Sequence, residues 1–143
     1  MERTASAIWL GGLKDGKGTV STASGILKET PYSFSARFEQ GKGTNPEELL
    51  AAAHAGCFAM ALSAELGKAG ITPSKLEVTA TVTIDNIQGQ FVITKSHLDL
   101  VAHIPQADKS KFDIAVKAAE LGCPVSKLFR AEISVSSELI YHA

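Results

Sequence analysis

The sequence predicts an α+β domain: an antiparallel β-sheet with a long buried central helix and a second helix packed on it. Three observations carry this. The first third is a series of short alternating runs broken by turn residues. An apolar stretch, Leu49 to Leu62, is framed by helix start and stop signals. After it come two period-two runs, a second amphipathic segment and a final strand-like run.

Ala7 to Leu10 reads as a strand, Lys14-Asp15-Gly16-Lys17-Gly18 as a turn, and Thr19 to Thr22 as its return. After Thr30-Pro31, the segment Tyr32 to Phe38 reads as a further strand. Gly41 to Asn45 is a loop leading into the central helix. Asn45 can cap free amides there, Pro46 has no N–H to leave unsatisfied, and Glu47 and Glu48 complement the positive end of the dipole. The helix should run to about Ala69 and stop at Gly70. Its middle has almost no polar face, the pattern of a helix covered on every side. A chain of 143 residues rarely achieves that alone, so a second subunit is expected.

Leu76, Val78, Ala80, Val82 and Ile84 alternate with polar residues as a half-buried strand. Asp85 to Gln90 reads as a hairpin turn. On the return strand Val92, Leu98, Leu100, Ala102 and Ile104 share one parity, and Lys95, His97, Asp99 and His103 the other, solvated one. Asp108 to Leu121 is an amphipathic helix closed by Gly122. Pro124 to Arg130 is a short helix, and Ala131 to Tyr141 a last strand. No repeat or linker divides residues 1–143, so one domain is expected.

Composition narrows the function. With 14 basic and 15 acidic residues the net charge is -1, without charged runs, which argues against nucleic acid or anionic membrane as partner. The N-terminus lacks the basic start, apolar stretch and cleavage site of a secretion signal, so the cytoplasm is expected. Leu49 to Leu62 is shorter than the roughly 20 residues a bilayer needs. No Cys/His cluster has zinc spacing, and no metal or cofactor is expected.

Two cysteines, 66 residues apart, are either inert buried thiols or a redox pair. Cys57 lies mid-helix among small apolar residues, where burial raises a thiol pKa, so catalysis there requires a cation. Arg37 can supply one, and Glu47 can hold its guanidinium by a bidentate contact. Glu47 and Cys57 are about 15 Å apart along the axis, so Arg37 would have to bridge them. The alternative is an ordinary surface ion pair. Cys123, between Gly122 and Pro124, sits at a helix N-cap, where the dipole favours a thiolate and the group is usually reachable. It is either a resolving thiol or a small capping residue. His54, three residues before Cys57, invites a Cys–His nucleophile pair, although a lone His on an apolar helix is more often a satisfied core residue. His97 and His103 are about 20 Å apart along a strand, too far to share a metal.

Taken together, Gly43-Thr44-Asn45-Pro46-Glu47-Glu48-Leu49, His54-Ala55-Gly56-Cys57-Phe58 and Gly122-Cys123-Pro124-Val125-Ser126 resemble the signature stretches of the OsmC/Ohr family over nearly the whole chain. The resemblance implies an intertwined homodimer with active sites at the subunit interface. It also implies thiol-peroxidase activity on organic hydroperoxides, in oxidative and osmotic stress defence, without cofactor. By the same resemblance Cys57 is the peroxidatic thiol, Cys123 the resolving thiol that forms a disulfide with it, Arg37 the activating arginine and Glu47 the carboxylate that orients it. The reductant is a thiol, with lipoyl-bearing proteins the example from the family. An apolar mouth including Phe58 and Met60 would admit bulky substrates. Two other classes remain as competitors: a dimeric module binding an apolar ligand with incidental cysteines, and a Cys–His hydrolase using His54.

Overall fold

Antiparallel pairing begins at the N-terminus, where β1 (Ala5–Leu10), β2 (Lys17–Thr22) and β3 (Thr30–Tyr32) form a three-stranded sheet in that order. Gly18 faces the rings of Trp9 and Tyr32, whose centroids lie 5.4 Å apart. A Cβ at Gly18 would come within 2.6 Å of both rings, so only glycine lets them close over the strand. This computed structural model describes residues 1–142 and contains two compact units, one over Met1–Leu49 and one beginning at Leu50.

The expected strand Tyr32 to Phe38 is not formed. β3 stops at Tyr32, and α1 (Phe34–Phe38) follows. Ser33 is its N-cap, with Oγ accepting from the Ala36 amide at 3.1 Å. Phe34 and Phe38 stack one turn apart at 5.0 Å. Asn45 Nδ2 donates to the Ala36 carbonyl at 2.9 Å, which ties the short helix to the loop that follows.

Asn45 also caps the long helix α2 (Pro46–Lys68), its Oδ1 accepting from the Glu48 amide at 2.8 Å. At the other end Gly70 adopts φ +76, and the Ile71 amide returns to the Leu66 carbonyl. The helix has 23 residues and, by length and apolarity alone, could cross a membrane. Its burial is one-sided. His54, Phe58, Leu62 and Leu66, four residues apart, are fully buried. Ala53, Gly56, Met60 and Ala64 are exposed on another face, so the expected cover on every side is not provided within the single chain.

The second unit rests on β4 (Lys75–Ile87) and β5 (Gln90–Pro105), a hairpin longer than expected. Its turn is only Gln88-Gly89, both with positive φ, which matches the right-handed twist of paired strands. The register shifts opposite Thr83/Ile84, and beyond that irregularity Val92 is exposed instead of facing the core. From Ser96 to Ile104 the even positions are buried, as the alternation predicts. α3 (Lys109–Gly122), capped by Asp108, and α4 (Pro124–Leu128) then carry the chain over to β6 (Glu132–His142). β6 pairs with β5 in parallel, so the sheet order β4-β5-β6 is mixed where an antiparallel one was expected. The helical crossover spans the length that a parallel return requires.

The core of this unit joins Phe58, Leu62 and Leu66 to Leu98, Leu100 and Ile104 of β5 and to Phe112, Ala115 and Ala119 of α3. Phe58 belongs to this core, with no exposed surface, and does not line a mouth. Met60 is 76 % exposed.

Candidate active site

The buried stripe of α2 sets the position of Cys57. Turned about 100° round the axis from Phe58, it is half-buried at the margin of the core. Cys123 ends α3 as its C-cap and begins α4 as its N-cap, fully buried. The two sulfurs lie 2.9 Å apart, both as free thiols. Cys57 is thus the more accessible of the two, and Cys123, expected to be reachable, is enclosed.

Their ionisation differs as well. Burial, then sharing of a proton with Cys123, pushes the Cys57 thiol up, against a smaller pull from the Val125 backbone. Burial also opposes ionisation of Cys123. There it is outweighed by the Cys57 thiol, by the Ser126 backbone and hydroxyl, and by the Val125 backbone, which together draw Cys123 below the ordinary thiol range. The two titrate as a pair, with Cys123 drawn down and Cys57 pushed up. Cys123 itself does not favour a Cys57 thiolate.

His54 does not contact a cysteine as a base. Its Nδ1 lies 2.6 Å from Ser96 Oγ and its Nε2 2.8 Å from Ser126 Oγ. The edge of the Phe129 ring packs on it at 5.1 Å. Burial lowers its pKa, so it is neutral at pH 7. Ser96 and Ser126 were not singled out by the sequence. Ser96 had a signal: it is a hydroxyl directly preceding Leu98, Leu100, Ala102 and Ile104 on the apolar parity of β5. Ser126 had only its place three residues after Cys123.

In the first unit Arg37 and Glu47 form the expected fork. Arg37 Nε lies 3.0 and 3.3 Å from the two carboxylate oxygens, and Nη2 lies 2.8 Å from Oε1. The Glu47 side chain is only 8 % exposed and that of Arg37 38 %. The guanidinium also lies 5.0 Å from the Phe38 ring centroid. Since α1 is helical, Arg37 projects from a capped turn and not from a strand. It borders a pocket of about 250 Å³ lined with Trp9, Leu13, Tyr32, Phe34 and Phe38.

His97 and His103 are half-buried, not fully solvated. His97 meets Ser134 Oγ at 2.5 Å and Asp99 at 3.3 Å, and His103 lies 3.8 Å from Glu77. Among the described residues, no group of three or more His, Cys, Asp or Glu is arranged to hold a metal ion.

The model of the OsmC-like protein family matches residues 39–138, which include Glu47 and both cysteines. The chain belongs to the OsmC-like family. This OsmC-like chain is 49% identical over 139 residues to peroxiredoxin OsmC of Escherichia coli (strain K12), covering 97% of each. It is 32% identical over 123 residues to the organic hydroperoxide resistance protein OhrB of Bacillus subtilis (strain 168), covering 85% of this chain and 88% of that one. The crystal structure of Bacillus subtilis OhrB superposes with a TM-score of 0.71 at 29% identity, covering 96% and 98%. An OsmC-like protein of unknown function from Vibrio cholerae shares the fold, with a TM-score of 0.75 at 16% identity over 98% and 99%.

Proposed function

We propose that this OsmC-like chain is a two-cysteine thiol peroxidase for organic hydroperoxides, acting as one 143-residue domain in a cytoplasmic homodimer. The observation that carries the mechanism is the unequal exposure of two reduced sulfurs 2.9 Å apart. The relatives named for peroxiredoxin and organic hydroperoxide resistance support the reaction class.

Cys57 attacks the distal peroxide oxygen, the O–O bond breaks, and an alcohol leaves with a proton. Cys57 then carries a sulfenic acid, and Cys123, enclosed beside it, displaces the hydroxyl as water to give a disulfide. A thiol restores the pair, and a lipoyl-bearing protein suits that step. Because the cysteine pair does not favour a Cys57 thiolate, a cation has to be brought to it. Arg37 is that cation, with Glu47 fixing its fork. The aromatic pocket beside Arg37 fits an apolar substituent on the peroxide better than hydrogen peroxide. The open apolar face of α2 at Gly56 and Met60 is the surface a second subunit would cover.

The test is to treat reduced protein with one equivalent of cumene hydroperoxide, or separately hydrogen peroxide, and map thiols by peptide mass spectrometry. Loss of both thiols into a Cys57–Cys123 disulfide, faster with the organic peroxide, is the expected result. Survival of both thiols would overturn the redox reading and leave an apolar-ligand module in its place.

A further inference from the structure

The peroxidase scheme uses two sulfurs, a guanidinium and a carboxylate, and leaves a buried polar chain beside Cys123 unassigned. Ser96 of β5, His54 of α2 and Ser126 of α4 come from three elements and meet inside an otherwise apolar core. Their exposures are 0%, 0% and 7%. Desolvating an imidazole and two hydroxyls is costly unless every group is bonded, and here each ring nitrogen has a hydroxyl partner. Ser126 lies three positions on from Cys123, which begins the same short helix, and both are buried.

We infer that His54 is a positioning residue for disulfide formation: through its bond to Ser126 it orients the Ser126 hydroxyl toward Cys123, and so sets how readily that thiol ionises. The inference rests on the two-cysteine reading above.

A neutral imidazole donates from one nitrogen and accepts at the other. When Nδ1 accepts from Ser96 and Nε2–H donates to Ser126 Oγ, the Ser126 hydrogen is left for the Cys123 sulfur, which suits the thiolate. When Ser126 donates to Nε2 instead, its oxygen can only accept from Cys123 S–H, which suits the thiol. The imidazole tautomer and the state of Cys123 are therefore linked. Ser96 from β5, Ser126 from α4 and the Phe129 edge after α4 face the ring, and none of these three is charged. With burial keeping the ring neutral, the chain polarises without holding a net charge.

In the step served, Cys123 S–H loses its proton and the thiolate attacks the Cys57 sulfenic sulfur. The S–S bond forms as the S–O bond breaks, and the departing hydroxide takes up that proton as water. The sulfenic sulfur is reduced and the Cys123 sulfur oxidised, so the atoms and electrons balance with no further reagent.

Two measurements on the full chain test this. In a Cys57→Ser background Cys123 is the only thiol, and its ionisation is followed by thiolate ultraviolet absorbance against pH. Ser126→Ala and His54→Phe should each raise its pKa by about one unit, and His54→Gln, which can still donate and accept, should restore most of it. With both cysteines present, Ser126→Ala should slow disulfide closure roughly tenfold while leaving sulfenic acid formation on Cys57 unchanged. An unaltered Cys123 titration in Ser126→Ala would overturn the inference, and that near-isosteric variant decides the matter even where His54→Phe does not fold. Because the Cys123 titration requires no peroxide chemistry, it reads the buried chain even if wild-type protein ignores hydroperoxides.

Discussion

Cys123 lies 2.9 Å from Cys57, yet it is fully enclosed while Cys57 is only half-buried. In the proposed mechanism that inequality favours Cys57 as the sulfur that meets the peroxide, since such a sulfur has to be approached from outside. Cys57→Ser should reduce peroxide turnover to background. Cys123→Ser should consume one equivalent of peroxide, leave a Cys57 sulfenic acid that reacts with dimedone, and proceed to the sulfinic acid with excess oxidant. Full turnover by Cys57→Ser would reverse the assignment.

Arg37 is gripped by a nearly buried carboxylate, so the fork geometry should matter more than charge alone. Arg37→Ala is expected to slow Cys57 oxidation on the order of 100-fold, and Arg37→Lys to recover little of it. Glu47→Gln should fall between the two. Stopped-flow oxidation at saturating peroxide separates these from losses in substrate binding.

Acid should weaken the fold through His54. The unfolded imidazole titrates near 6.5 and the folded one lower, because burial disfavours its charge. Between those values the unfolded chain binds more protons, so stability falls as pH drops below about 6.5. Melting temperatures at pH 7.5 and 5.5 should differ more for wild type than for His54→Gln. Equal differences would mean that His54 contributes nothing to the acid response.

The exposed side of α2 predicts self-association. Light scattering should give twice the chain mass for wild type, and Met60→Glu should shift the equilibrium toward single chains by placing a charge on that apolar face. A wild-type protein that is monomeric at all concentrations would contradict the dimer.

Asn45 offers a stability test away from the chemistry. It caps α2 and also bonds the Ala36 carbonyl. Asn45→Ala should cost roughly 1–2 kcal/mol in denaturant unfolding. Asn45→Asp, which keeps the cap alone, should cost less.

Why some of this was legible in the sequence and some was not has a physical basis. The frame of α2 was readable because Asn45, Pro46 and Gly70 act through local backbone groups. The buried parity of β5 was readable because it repeats from Ser96 to Ile104. Phe34 and Phe38 misled because a spacing of four satisfies both the strand period and the helix turn, and only the cap from Ser33 decides between them. Strand alternation carries no direction, so the parallel approach of β6 was hidden. The Arg37–Glu47 contact followed from charge and proximity along the chain. The enclosure of Cys123 did not, because an N-cap is defined locally whereas burial depends on what packs against it. His54 was expected as a satisfied core residue, but its two hydroxyl partners lie 42 and 72 positions away.

The separation of the two sulfurs along the chain has a thermodynamic meaning of its own. Joining residues 66 positions apart closes a ring that contains β4, β5 and α3. A cross-link of that span removes conformations from the denatured chain and favours the folded state by about 4 kcal/mol on the chain-entropy estimate. Each cycle of the proposed reaction would therefore alternate the protein between a more stable oxidised form and a less stable reduced one. A shift in melting temperature would then record redox history without any chemical label.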